Sequence, residues 1–96
     1  MTAIYKYPLE PGENTIEFPN FGVLAFAGKD GTGRSSVWAQ VDPEQRTSPR
    51  KVKVVATGQE YDSNKWTYAF TWIDGPFVWH LLVEKDFYLV SVPVGD

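Results

Sequence analysis

Apolar and polar residues alternate along most of this chain with a period of two, and helical periodicity is nearly absent. Thr2–Tyr7 reads as a strand, with Ile4 and Lys6 on one face and Tyr5 and Tyr7 on the other. Pro8 and Pro11-Gly12 end it, and Asn14–Phe18 resumes with Ile16 and Phe18 in alternation. Pro19-Asn20 then turns the chain into Gly22–Ala27, a compact apolar run that suits a central strand. Gly28–Ser35 is a polar, glycine-rich loop long enough to be mobile.

Beyond it, Ser36–Asp42 sets Val37, Ala39 and Val41 on one face and Trp38 and Gln40 on the other. Asp42-Pro43 stops that strand, and a second polar loop runs from Pro43 to the Ser48-Pro49-Arg50 turn. Lys51–Thr57 alternates Lys51 and Lys53 with Val52 and Val54 until Gly58 breaks it. Ser63-Asn64 can open one short helical turn at most. Trp66–Ile73, Phe77–Glu84 and Phe87–Val92 are three further strands, the first two joined by Asp74-Gly75-Pro76. Seven to eight short strands in succession, with no crossover helix, predict an all-β fold. It is a small, mostly antiparallel sandwich or barrel.

Length makes this one domain, residues 1–96, with 1–2 and 93–96 expected to fray. Aromatic residues make up 16% of the chain, so large rings must supply much of so small a core. Tyr5, Tyr7, Trp38, Trp66, Tyr68, Trp72 and Trp79 exceed what one sheet face can bury, so both faces are covered or some rings form a homo-oligomer interface. There is no cysteine, which excludes disulfides and thiolate chemistry. No apolar run reaches the ~20 residues of a membrane helix, and no secretory leader opens the chain, so a cytosolic protein without a membrane partner is expected. A net charge of -3 argues against a nucleic-acid partner.

Four features carry candidate chemistry. Gly28–Ser35 has the outline of a phosphate loop, but Arg34 stands where lysine is needed and a strand follows instead of a helix. A hairpin loop is the better reading, with Arg34 kept as an anion-binding candidate. His80 is the only histidine, and no second one exists to complete a His-based metal site. A half-buried His80 hydrogen-bonded within the sheet, on one face with Val78 and Leu82, is favoured over a ligand-binding one. The acidic residues mostly flank turns, and no spacing singles out a catalytic pair. Arg46, Arg50, Lys51 and Lys53 fall close together and, with Arg34 and Trp38, form the best anion- or partner-binding set. That set converges if Ser36–Asp42 and Lys51–Thr57 pair as a hairpin. The competing reading of the lysines is a strand edge charged against aggregation.

The segments Ile4-Tyr5-Lys6-Tyr7-Pro8-Leu9, Val37-Trp38-Ala39-Gln40-Val41-Asp42-Pro43, Thr57-Gly58 and Gly75-Pro76-Phe77-Val78-Trp79-His80-Leu81 occur in that order. The pattern resembles a family of small tailed-phage proteins of unassigned function, over roughly residues 3–84. The resemblance implies a phage accessory protein made in the host cytoplasm, and lends no catalytic residues. Phe87–Val92 then reads as a strand added beyond the shared part. The expectation is a binder that uses no cofactor and no metal, not an enzyme. Its partner is a host protein, as for an inhibitor of anti-phage defence. The alternatives are an oligomer that sequesters a nucleotide-type anionic signal, or a minor virion component.

Overall fold

The computed structural model of the protein describes residues 1–90. Among the described residues seven strands lie in two antiparallel sheets, and no helix is long and apolar enough to cross a membrane. The strands are β1 (Ala3–Pro8), β2 (Gly12–Pro19), β3 (Val23–Lys29), β4 (Ser35–Val41), β5 (Thr47–Ala56), β6 (Trp66–Asp74) and β7 (Phe77–Glu84). One sheet has the order β1-β4-β3 and the other β2-β5-β7-β6. The fold is therefore a sandwich. The tail expected to fray, 93–96, lies outside the described residues.

Alternation builds the core as expected. Val37, Ala39 and Val41 of β4 face Val52 and Val54 of β5 and Leu81 and Val83 of β7, all buried. Ile16, Phe18, Leu24 and Trp72 complete the layer between the sheets. Trp72 ties the two sheets by donating its indole N–H to Ser35 Oγ at 3.0 Å.

Five expectations are corrected. The apolar run Gly22–Ala27 is not a central strand: β3 lies at an edge, and β4 is the centre of its sheet. β4 and β5 do not pair as a hairpin, because the chain changes sheets between them. Ser48-Pro49-Arg50 is not a turn but part of β5, where Pro49 lies opposite Glu17 of β2. Proline is tolerated there because β7 pairs only with Val52–Ala56, so no ladder bond is lost on that side.

The Gly28–Ser35 loop is pinned and does not hang free. Asp30 Oδ1 accepts the backbone N–H groups of Thr32 and Arg34 and the Thr32 hydroxyl, while Lys6 Nζ binds Oδ2 at 3.0 Å. These contacts hold the Asp30 carboxyl well below the usual carboxylate range, the Thr32 hydroxyl contributing most. An internal carboxylate thus takes the backbone donors that a phosphate would need.

Finally, Phe87–Val92 is not an added strand over its described part. Residues 85–88 form a turn, and the remainder of that segment, 91–92, lies outside the described residues. Phe87 is driven into the open end of the sandwich, 5.1 Å from the Phe18 ring, and is almost wholly buried. It closes the core as a plug.

Candidate protein-binding face

The outer surface of the three-stranded sheet is apolar and, among the described residues, uncovered. Two cross-strand rows build it: Lys6, Trp38 and Phe26, then Ile4, Gln40 and Val23. Ile4 is 68% exposed, Phe26 60% and Val23 55%. Phe26 and Trp38 lean on each other with ring centroids 5.8 Å apart. Lys6 is the only charged side chain in these rows, and its ammonium is engaged by Asp30.

A β-bulge decides this surface. Leu24 and Phe26 are two residues apart, which in a regular strand puts both on one face. The register shift at Ala25 sets Leu24 opposite Ala39, towards the core, and Phe26 opposite Trp38, towards solvent. Gly28 then lets the ring lie flat, since a Cβ there would approach Phe26 to 2.9 Å. The aromatic ring stands in for the missing side chain.

The turn feeding β3 adds a further ring. Gly22 donates its N–H to the Pro19 carbonyl at 3.1 Å, and Phe21 takes a φ of 66°. A type II turn needs such a positive φ at its third residue, normally glycine or asparagine. Phenylalanine in that conformation costs on the order of 1–2 kcal/mol. Its ring nevertheless projects 67% exposed, beside a cleft of about 420 Å³ that it lines with Val23, Gln40 and Asp42. Together these side chains expose on the order of 500 Å² of apolar surface, at the upper range for a monomer's largest patch.

The residues singled out from sequence do not converge on one site, although Arg46 and Arg50 line a common cleft of about 440 Å³ with Glu84 and Asp86. Arg34 sits at the β3–β4 turn, paired with Glu10 at 2.6 Å. Arg46 lies at the opposite end, in the β4–β5 connection. Arg50 points inward and is buried: its Nε donates to the Phe87 carbonyl at 2.8 Å, and its other nitrogens reach the carbonyls of Pro49 and Leu89 and the side chain of Asn20. Lys51 and Lys53 share a cleft of about 490 Å³ on the outer face of the four-stranded sheet with Lys65 and Trp66. Lys53 Nζ stands 5.7 Å from the Trp66 ring centroid. Glu13, Asp62 and Glu84 line the same cleft, so three carboxylates balance its three ammonium groups. Trp38 belongs to the apolar face on the other sheet.

His80 lies on the outer face of the four-stranded sheet and is half-buried. Its Nε2 meets Thr57 Oγ1 at 2.7 Å and its Nδ1 meets Thr71 Oγ1 at 2.8 Å. The Tyr68 hydroxyl continues the chain to Thr71 at 2.6 Å. Both ring nitrogens are thus taken up by hydroxyls, one from Thr57 in the turn after β5 and one from Thr71 of β6. Among the described residues no group of three His, Cys, Asp or Glu side chains is placed to hold a metal ion.

Phe21 and Phe26 were missed from sequence. The signal for Phe21 is a phenylalanine between Pro19-Asn20 and Gly22, where turn chemistry asks for glycine. The bulge at Ala25 leaves none.

This fold and surface define a small antiparallel β-sandwich with a closed core and one bare apolar face. The chain belongs to a family described as a domain of unknown function, DUF7352, whose pattern it matches over residues 1–89. The match takes in the Phe87 plug as well as all seven strands. No curated protein and no solved structure matches the chain.

Proposed function

We propose that this protein is a phage accessory protein that works by binding a host protein, docking it on the outer face of the three-stranded sheet. The observation that carries this reading is the exposed set Ile4, Phe21, Val23 and Phe26 beside Trp38, with Phe21 held out at a strained φ. Strain at a solvent-facing aromatic persists where presentation of the ring is selected. Large aromatics on a surface depleted of charge are the residues that dominate protein–protein affinity. The alternative, capture of a nucleotide-type anion, has less support. Arg34 and Arg50 are engaged within the protein, and the lysine cleft is balanced by carboxylates.

Affinity purification from a bacterial host lysate tests the reading, comparing the wild-type chain with Phe26→Ser and Trp38→Ser combined. The expected result is one host protein retained in stoichiometric amount by the wild type and lost by the variant, with both folded. Equal retention by the two, or abundance of the chain in purified virions without a host partner, overturns it.

A further inference from the structure

We propose that two copies of this protein pair edge to edge through β1, antiparallel, joining their three-stranded sheets into one continuous sheet. The inference rests on strand edges and goes beyond the partner reading above.

Among the described residues the sandwich has four edges, β1, β3, β2 and β6. An open edge is a row of unpaired N–H and C=O groups that recruits another strand unless something blocks it. β3 is broken by its bulge, and the Leu24 N–H is capped by the Tyr88 hydroxyl at 3.3 Å. β6 is broken by a second bulge between Tyr68 and Phe70. β2 is regular, but its outward row is acidic. Lys51 sends its N–H to Glu84, away from β2, so Thr15 opposite it, and with it Glu13 and Glu17, turn their backbone groups to the free edge. Pairing β2 with itself would set Glu13 beside Glu17 of the second copy, like charge against like.

Among the described residues, β1 has none of these guards. It pairs with β4 over six unbroken positions. Leu9 N–H donates to the Ser35 carbonyl at 2.9 Å, which fixes the alternation: Tyr7, Tyr5 and Ala3 face β4, while Ile4 and Lys6 point outward. Pro8 falls in the same outward set, the position proline prefers at an edge. Lysine ordinarily guards such an edge, but Lys6 is drawn aside to Asp30. Ile4 and Tyr5, 68% and 40% exposed, leave apolar surface on both sides of the strand that an added strand covers.

A second copy fits because antiparallel pairing of a strand with itself satisfies two-fold symmetry. A register centred on Ile4 sets Ile4 against Ile4 and Lys6 against Thr2, so no like charges meet. Pairing strands this short buries less than the ~800 Å² per partner of a standard interface. Self-association is therefore expected in the micromolar range, not as an obligate dimer. The product is one continuous sheet carrying two copies of the apolar face side by side.

Sedimentation velocity of the full chain, over a series from low micromolar to near-millimolar concentration, tests the proposal. The expected result is a concentration-dependent doubling of mass. Ile4→Pro removes an outward N–H that makes no bond to β4, and Ile4→Lys places two charges at the symmetry axis. Each should weaken self-association on the order of tenfold or more. Phe26→Ser, on the face but away from the edge, should leave it unchanged. A monomer at every concentration overturns the proposal. So does a dimer that survives Ile4→Lys and is lost in Phe26→Ser, which would mean face-to-face packing.

Discussion

Arg50 donates its Nε–H to the carbonyl oxygen of Phe87, fastening the segment that plugs the sandwich to β5, the strand that pairs with β7 just before it. A residue whose charge and neighbours mark it for an external anion is spent on the protein's own backbone. Desolvating a guanidinium is costly unless its donors are used, and Arg50 meets carbonyl oxygens and the Asn20 side chain.

The first prediction follows from that pair. Phe87→Ala should cost about 3–5 kcal/mol, since it empties a fully enclosed ring site. Arg50→Ala should cost about 2–3 kcal/mol through buried carbonyls left without donors. Both are large fractions of the ~5–15 kcal/mol typical of a small domain. Urea denaturation measures them, and an Arg50→Ala chain as stable as wild type would show the plug to be held by packing alone.

Phe21 carries the second. Phe21→Gly relieves the positive φ and should raise stability by about 1 kcal/mol, while weakening binding of the host partner. Thermal unfolding and binding, measured on the same samples, should move in opposite directions. A destabilised Phe21→Gly chain would mean that the ring packs for structure.

Tyr7 sets an alkaline limit. Its hydroxyl is buried with no hydrogen-bond partner among the described residues, and burial, with a smaller effect of nearby Tyr5, pushes its pKa above the ordinary 10.0. The folded form therefore keeps its proton where the unfolded chain loses it. This contribution to stability is intact below pH 10.0 and is lost as pH rises through the raised folded-state value. Tyr7→Phe should be stabilising by about 1 kcal/mol at neutral pH. It should also flatten the alkaline fall in melting temperature; an unchanged alkaline profile would remove Tyr7 as its cause.

Asp30 acts in the opposite sense. Its folded-state pKa is depressed, so its contribution is present above the ordinary 3.8 and disappears only as pH falls through the lower folded value. The Thr32 and Arg34 amides should stay protected from hydrogen exchange just below pH 3.8 in the wild type, and lose protection at the same pH in Asp30→Ala. Equal protection in both would mean that the turn holds without its carboxylate.

Strand positions were legible along most of the chain because burial of one sheet face writes period-two alternation directly into sequence, as in Val37, Ala39 and Val41. That His80 is hydrogen-bonded within the sheet was legible from its being the only histidine, whereas its partners Thr57 and Thr71 are supplied by the fold. The basic set was not. Its convergence required β4 and β5 to be neighbours, and nothing local says whether a connection such as Pro43–Arg46 returns to the same sheet or crosses to the other. The Phe87 plug was misread for a related reason, since an apolar run at the end of a β-protein reads alike as a strand or as a stopper.

By itself, then, the sequence determined an all-β, antiparallel fold with a ring-rich core, because those properties follow from alternation, turn residues and composition. Only the tertiary structure decided which rings face solvent. One bulged residue at Ala25 reverses the side-chain parity of everything after it, so Leu24 enters the core and Phe26 leaves it. A bulge is a mismatch between two strands, and the partner strand is supplied by the fold.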